Sequence, residues 1–195
     1  MSTKITDRQA RIVAAALTVL QSAGWSALTQ PRVALAAGLR QSHLTYYFPT
    51  RRDLVTAISR EVARRLVDGF ERLAREAPAD PGGFGKSFAR LCSPEQTRLL
   101  LTLVLAADTE PAIRRIFRVL TKDVRARIAS AIGRMGADAD AVALIHALGV
   151  GLAVLDLARD EPAARCELQR IAAMPLARGI ARRKPPKNRS KGSRR

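Results

Sequence analysis

Histidine and cysteine are almost missing from this chain, with two of each in 195 residues. Cys92 and Cys166 lie far apart, no CxxC pair occurs, and no His/Cys cluster has the spacing of metal ligands. Neither a disulfide framework nor a zinc site is expected, and the two thiols suit a reducing cytosol. With so little histidine, acid–base chemistry has few candidates, and the chain contains no nucleophile elbow and no phosphate loop. Ser42 and His43 are adjacent, so on a helix they point to different sides and form no dyad. The chain is therefore not expected to be an enzyme, and it offers no catalytic residue, no metal site and no cofactor site. Aromatic residues are scarce at 4%, while hydrophobic residues reach 47%, mostly Ala, Leu, Val and Ile. That balance favours helices packed on helices, and no segment sustains strand alternation. The apolar run Leu99–Ala107 is too short to span a bilayer, and MSTKITDRQ lacks the apolar core of a signal peptide. No membrane partner is expected, and the expected location is cytoplasmic.

Acid is the other shortage: 17 Asp and Glu stand against 34 Lys and Arg, a net charge of +17. The excess is uneven. Residues 1–60 hold 8 basic and 2 acidic side chains, residues 61–177 hold 17 and 15, and residues 178–195 hold 9 and none. Two basic ends around a nearly neutral middle point to a polyanion, with nucleic acid ahead of an anionic membrane. The tail from Gly179 has two adjacent prolines and almost nothing apolar, so it is expected to be disordered. It is either a solvated terminus or a sequence-independent clamp on DNA.

What is present is a run of helical patterns with stop signals between them. Asp7–Ala23 places Ile12, Ala16, Val19 and Leu20 on one face, and Gly24 ends it. Trp25 reads as a plug for a small N-terminal core. Thr29 is a good N-cap with Pro31 in the first turn, and Gly38 closes that short segment. Gln41–Phe48 is a second short helix with Leu44 and Phe48 inward, ended by Pro49. Thr50-x-x-Asp53 is a capping box for a long helix, Arg51 to about Glu76. Further helices are expected over Phe84–Leu91, Pro94–Ala107, Glu110–Met135, Asp138–Arg159 and about 161–178. Pro94–Ala107 is apolar nearly all round, which predicts burial. Gly149 and Gly151 inside a helix cost ~1 kcal/mol each, so close packing is their expected reason.

Helix, glycine turn and helix over residues 28–47 form a helix-turn-helix. Its second helix would lie in a major groove and present Arg40, Gln41, Ser42 and His43 to base edges. Arg suits guanine and Gln suits adenine. Thr29, Thr45, Tyr46, Tyr47, Thr50, Arg51 and Arg52 are the candidates for phosphate, the last three at a helix N-terminus that already favours an anion. Either tyrosine could instead pack between helices.

The same residues resemble the DNA-binding domain of TetR-family (tetracycline-repressor-like) transcriptional regulators. The resemblance rests on the Ala-rich first helix, Gly24-Trp25, Thr29, Val33-Ala34, Ala37-Gly38-Leu39, Leu44, and Tyr46-Tyr47-Phe48-Pro49-Thr50-Arg51 leading to Leu54. It covers about a quarter of the chain without a gap. Arg40 and Thr45 stand where the family often has a serine and a tyrosine. The resemblance implies an all-α protein with a three-helix DNA-binding domain at 5–65, a helical ligand-binding and dimerisation domain at 66–178, and the tail at 179–195. It further implies a repressor that binds a palindromic operator in double-stranded DNA. The homodimer would form through helices 138–159 and 161–178, and a small-molecule effector would release the DNA by moving the Arg51–Glu76 helix. The alternative is a ligand-independent nucleic-acid-associated protein that binds through its basic ends.

For the effector, Leu100, Val104, Phe117 and His146 are the candidate pocket residues. Leu, Val and Ala dominate those helices, so an apolar or amphipathic molecule is expected. His146 and Asp156 share one broad face of their helix. Either could hydrogen-bond a ligand or be a satisfied polar group of an interface.

Overall fold

The computed structural model describes residues 7–159, together with Glu167, Gln169, Arg170 and Met174. Among the described residues there are helices and no strands. In order they are α1 (Asp7–Ala23), a single 3-10 turn (Trp25–Ala27), α2 (Gln30–Ala36), α3 (Gln41–Tyr47), α4 (Arg51–Glu76), α5 (Pro81–Leu91), α6 (Pro94–Thr109), α7 (Pro111–Gly133) and α8 (Ala139–Arg159).

Most starts are written in side-chain caps. The Thr29 hydroxyl accepts from the Arg32 N–H at 3.4 Å, and Ser93 from Gln96 at 3.4 Å. At α4 the capping box is complete: Asp53 N–H donates to Thr50 Oγ1 at 3.1 Å, and Thr50 N–H donates to Asp53 Oδ2 at 3.1 Å. Proline occupies the first turn of α2, α5, α6 and α7, where a missing N–H loses nothing. The α2–α3 turn closes on Gly38 at φ 66°, a left-handed conformation that a Cβ would strain.

Helices α1 to α3 gather around Ile12, Leu17, Leu20 and Leu44, all fully buried. Helix α4 seals that core with Leu54 and Ile58 and continues unbroken past residue 65 into the second half. There it lies along α7, while α6 packs on α1, α4, α7 and α8. Phe84, Phe88, Leu99, Leu103, Ile113 and Ile128 fill the second half, and the apolar core is continuous between the two.

Several expectations need correction. Helix α5 begins at Pro81, three residues before Phe84, because Asp80 accepts the Gly83 N–H at 2.8 Å and turns an apparent breaker into a helix start. Helix α6 is not buried all round: Val104 and Leu105 are exposed, while Thr97 and Thr102 are buried and donate their hydroxyls to the carbonyls of Ser93 and Arg98. Trp25 is half-buried and packs at the edge of the core instead of plugging it. Gly149 does meet a close neighbour, the ring of Phe88, but Gly151 faces open space. The helix expected over 161–178 and the tail at 179–195 lie outside the described residues.

Helix α8 has a mean hydropathy of 2.1 over 18 residues and is long and apolar enough to cross a membrane, yet only 22% of that stretch is buried. Its inner edge packs on α6 and α7 through Val142, Ile145, Gly149 and Ala153. Its outer side carries Leu144, Gly151, Leu155 and Ala158, all exposed and spaced 7, 4 and 3 residues apart, which is one helical face.

Candidate nucleic-acid interface and interior cavity

Helix α3 is held by two side chains one turn apart, Leu44 and Phe48, both buried. Burial of that edge turns Gln41, Ser42 and His43 outward, and all three are exposed. Arg40 takes the N-cap position, but its side chain caps nothing and is also exposed. Two hydrogen bonds lock the small helices from outside the core. Arg11 Nη2 donates to the Ala37 carbonyl at 3.2 Å, tying α1 to the end of α2, and Gln30 Nε2 donates to the Phe48 carbonyl at 3.3 Å, tying α2 to the end of α3. Neither Arg11 nor Gln30 was singled out from the sequence, since nothing local marks a side chain that reaches a distant carbonyl.

The phosphate candidates divide by what their donors already do. Thr45 donates its hydroxyl to the Gln41 carbonyl at 2.6 Å. Thr50 donates to Asp53 Oδ2 at 2.7 Å. A hydroxyl has one proton, so neither can donate to a phosphate without giving up its bond. Thr29 only accepts within the head, so its proton is free for an outside acceptor. Tyr46 is 80% exposed, whereas Tyr47 is half-buried against the core, their rings meeting edge to face at 5.1 Å. The Arg51 guanidinium lies 5.2 Å over the Trp25 ring. Arg52 Nε reaches across to Glu110, between α6 and α7, with Oε2 at 3.0 Å. Between Asp7 and Asp53 the chain has no acidic residue, so the whole reading face is positive or neutral.

The second half holds a cavity of about 340 Å³ that opens to the surface on one side. All four residues chosen from the sequence, Leu100, Val104, Phe117 and His146, line it. Leu100, Phe117 and His146 are half-buried on α6, α7 and α8, Val104 stands at the exposed edge, and α4 and α5 complete the wall with Leu66, Phe70 and Phe88. Asp156 is buried but is not on this wall. Polar groups on the wall are few. His146 Nδ1 accepts from Arg125 Nε at 3.3 Å, and burial, with help from Arg125, holds the imidazole below its ordinary pKa. Burial, aided by Asp156, pushes the Cys92 thiol up to about 12, so it lines the cavity as a neutral group. Gln96 Oε1 is buried in the wall with no partner among the described residues. Leaving such an acceptor unmet costs ~1–3 kcal/mol.

Residues 12–58 match the sequence profile described as bacterial regulatory proteins, tetR family. The HTH-type transcriptional regulator CymR of Pseudomonas putida is 28% identical over 111 residues, covering 55% of this chain and 55% of CymR. The match thus spans about half the length of that relative. In fold, a transcriptional regulator from Rhodococcus sp. Rha1 superposes with a TM-score of 0.73 at 18% identity, over 90% of this chain and 97% of that one. The multidrug binding protein EbrR, solved with proflavin, gives 0.64 at 24% identity, over 87% and 99%. At such identities the structures speak for the fold throughout, and the profile speaks for the first three helices and the start of α4.

Proposed function

We propose that the chain, whose residues 12–58 match the tetR-family profile, is a ligand-responsive repressor of that family. In this reading the unit at residues 5–65 binds DNA, and the rest, 66–178, holds effector and partner. Two chains pair and set their α3 helices in successive major grooves of a palindromic operator. Arg40, Gln41, Ser42 and His43 meet base edges, while Thr29, Tyr46, Arg51 and Arg52 hold phosphates. The observation that carries it is the exposed, acid-free face of α3 on a buried Leu44–Phe48 anchor. The cavity supports an effector, and the exposed apolar face of α8 supports pairing. The effector would act by preferring the conformation that cannot bind DNA, with α4 as the mover. Such a protein works in the cytoplasm, on DNA.

Residue roles can be separated with the tightest palindrome selected from a random pool. Gln41→Ala or His43→Ala should lower discrimination against random duplex by ~1–3 kcal/mol, while Arg51→Ala weakens both duplexes alike and flattens the salt slope by about one. If the selected palindrome binds no tighter than random duplex at physiological salt, the repressor reading fails, and binding through the basic ends takes its place.

The Arg52–Glu110 pair adds a second prediction. Arg52 is the phosphate candidate that a carboxylate from the other half of the protein already holds. Glu110→Gln should free it, tighten binding to random duplex at low salt, and steepen the salt slope by up to about one. The bridge is largely exposed on the Arg side, so the change in fold stability should stay under ~1 kcal/mol. Anisotropy titrations over a salt series, with a melting curve alongside, measure both.

A further inference from the structure

We propose that the cavity selects a monoanionic amphiphile, a carboxylate on an apolar body, with Arg125 and His146 as the anchor for its charge. The inference rests on the effector reading above and narrows it to one chemical class.

Among the described residues the wall carries one formal charge, Arg125, and no Asp or Glu. Arg125 makes no ion pair among the described residues; the nearby Asp123 is engaged with Arg127 at 3.8 Å. Its single side-chain bond is Nε to His146 Nδ1, which leaves both terminal nitrogens of the guanidinium uncommitted. Those two nitrogens are the edge that grips a carboxylate with two parallel bonds. The same bond fixes the imidazole. Because Nδ1 accepts, the ring proton sits on Nε2, where it is a second donor. A cation entering here would meet Arg125 with no carboxylate on the wall to offset it, and a neutral chain would leave the guanidinium without a counter-ion. The rest of the wall, including Phe70, Leu100, Phe117 and Val150, suits a hydrocarbon body.

Three ligands of equal length test the class: octanoate, octan-1-ol and octylammonium, titrated calorimetrically into the full-length protein at neutral pH. The expected order is octanoate tightest, by about tenfold over octanol at one site per chain, with octylammonium weakest. Arg125→Gln should remove the preference for octanoate and leave octanol unchanged, which also separates this site from the general positive charge of the surface. Arg125 is exposed, so that change spares the core. If octylammonium binds as well as octanoate, or if Arg125→Gln keeps the tenfold ratio, the anion assignment is overturned while the cavity reading stands. If none of the three binds, both fall.

Discussion

A chain carrying both Leu144→Glu and Leu155→Glu is expected to stay folded, to sediment as a monomer, and to lose operator affinity by about a hundredfold or more. The two leucines are 48% and 46% exposed on the outer face of α8, so little of their surface contributes to the protomer's own core. Pairing would remove them from water on both chains, at ~1.5–3 kcal/mol for each side chain fully covered. Glutamate removes that gain and sets like charges against each other across a two-fold axis, where every substitution is met by its copy. The loss of DNA binding follows from geometry. In the proposed dimer one α3 helix would read only a half-site, and linking two heads raises avidity by ~10²–10⁴ through effective concentration alone. Sedimentation velocity and anisotropy on the same preparation decide the matter. A dimer that survives both substitutions would place the pairing surface elsewhere.

The second large effect is expected at Gly149. A Cβ built there would lie 2.5 Å and 2.6 Å from Cζ and Cε1 of Phe88. Phe88 is 1% exposed, stacks on Phe84 at 5.7 Å and meets Phe70 edge-on at 6.1 Å, so its ring can yield only into the cavity it lines. Gly149→Val therefore forces the ring into that cavity or α8 away from α5, at a cost on the order of 3 kcal/mol. For a chain of this size that lowers Tm by roughly 6–12 °C. Since Phe88 also lines the cavity, effector binding should weaken in the same variant. Gly151→Ala is the control. Beyond its own helix backbone and chain neighbours, a Cβ built there meets no described atom within 4 Å, so the protomer's stability should be unchanged or higher by up to ~1 kcal/mol in a thermal melt. Equal losses at both positions would contradict the packing described for α5 and α8.

Much of this architecture was legible because its signals are local. Thr29, Thr50 with Asp53, and the prolines at 31 and 94 mark helix starts through chemistry confined to one turn, and those starts were read correctly. Leu100, Val104, Phe117 and His146, picked from three helical patterns, do line one cavity. Asp80 was overlooked as a cap because the prolines and glycines around it look like a break. What stayed hidden was long-range. The Arg52–Glu110 bridge joins residues 58 apart, and the Arg125–His146 bond joins residues 21 apart. The status of a threonine proton depends on which carbonyl or carboxylate stands beside it, so Thr29, Thr45 and Thr50 looked alike as letters. Likewise, α6 read as apolar nearly all round could not reveal that Thr97 and Thr102 are buried while Val104 and Leu105 are exposed.

The division of labour within α3 bears on how such a chain changes over time. Leu44 and Phe48 hold the helix, whereas Arg40, Gln41, Ser42 and His43 are exposed and, among the described residues, none uses its side chain to hold the head together. Exchanges at exposed positions free of such features usually alter stability by less than ~0.5 kcal/mol. A lineage can therefore try new residues on the reading face almost without a folding penalty. In the repressor reading, drift there is filtered by which DNA sequence is bound, whereas drift at Leu44 is filtered by whether the protein exists at all.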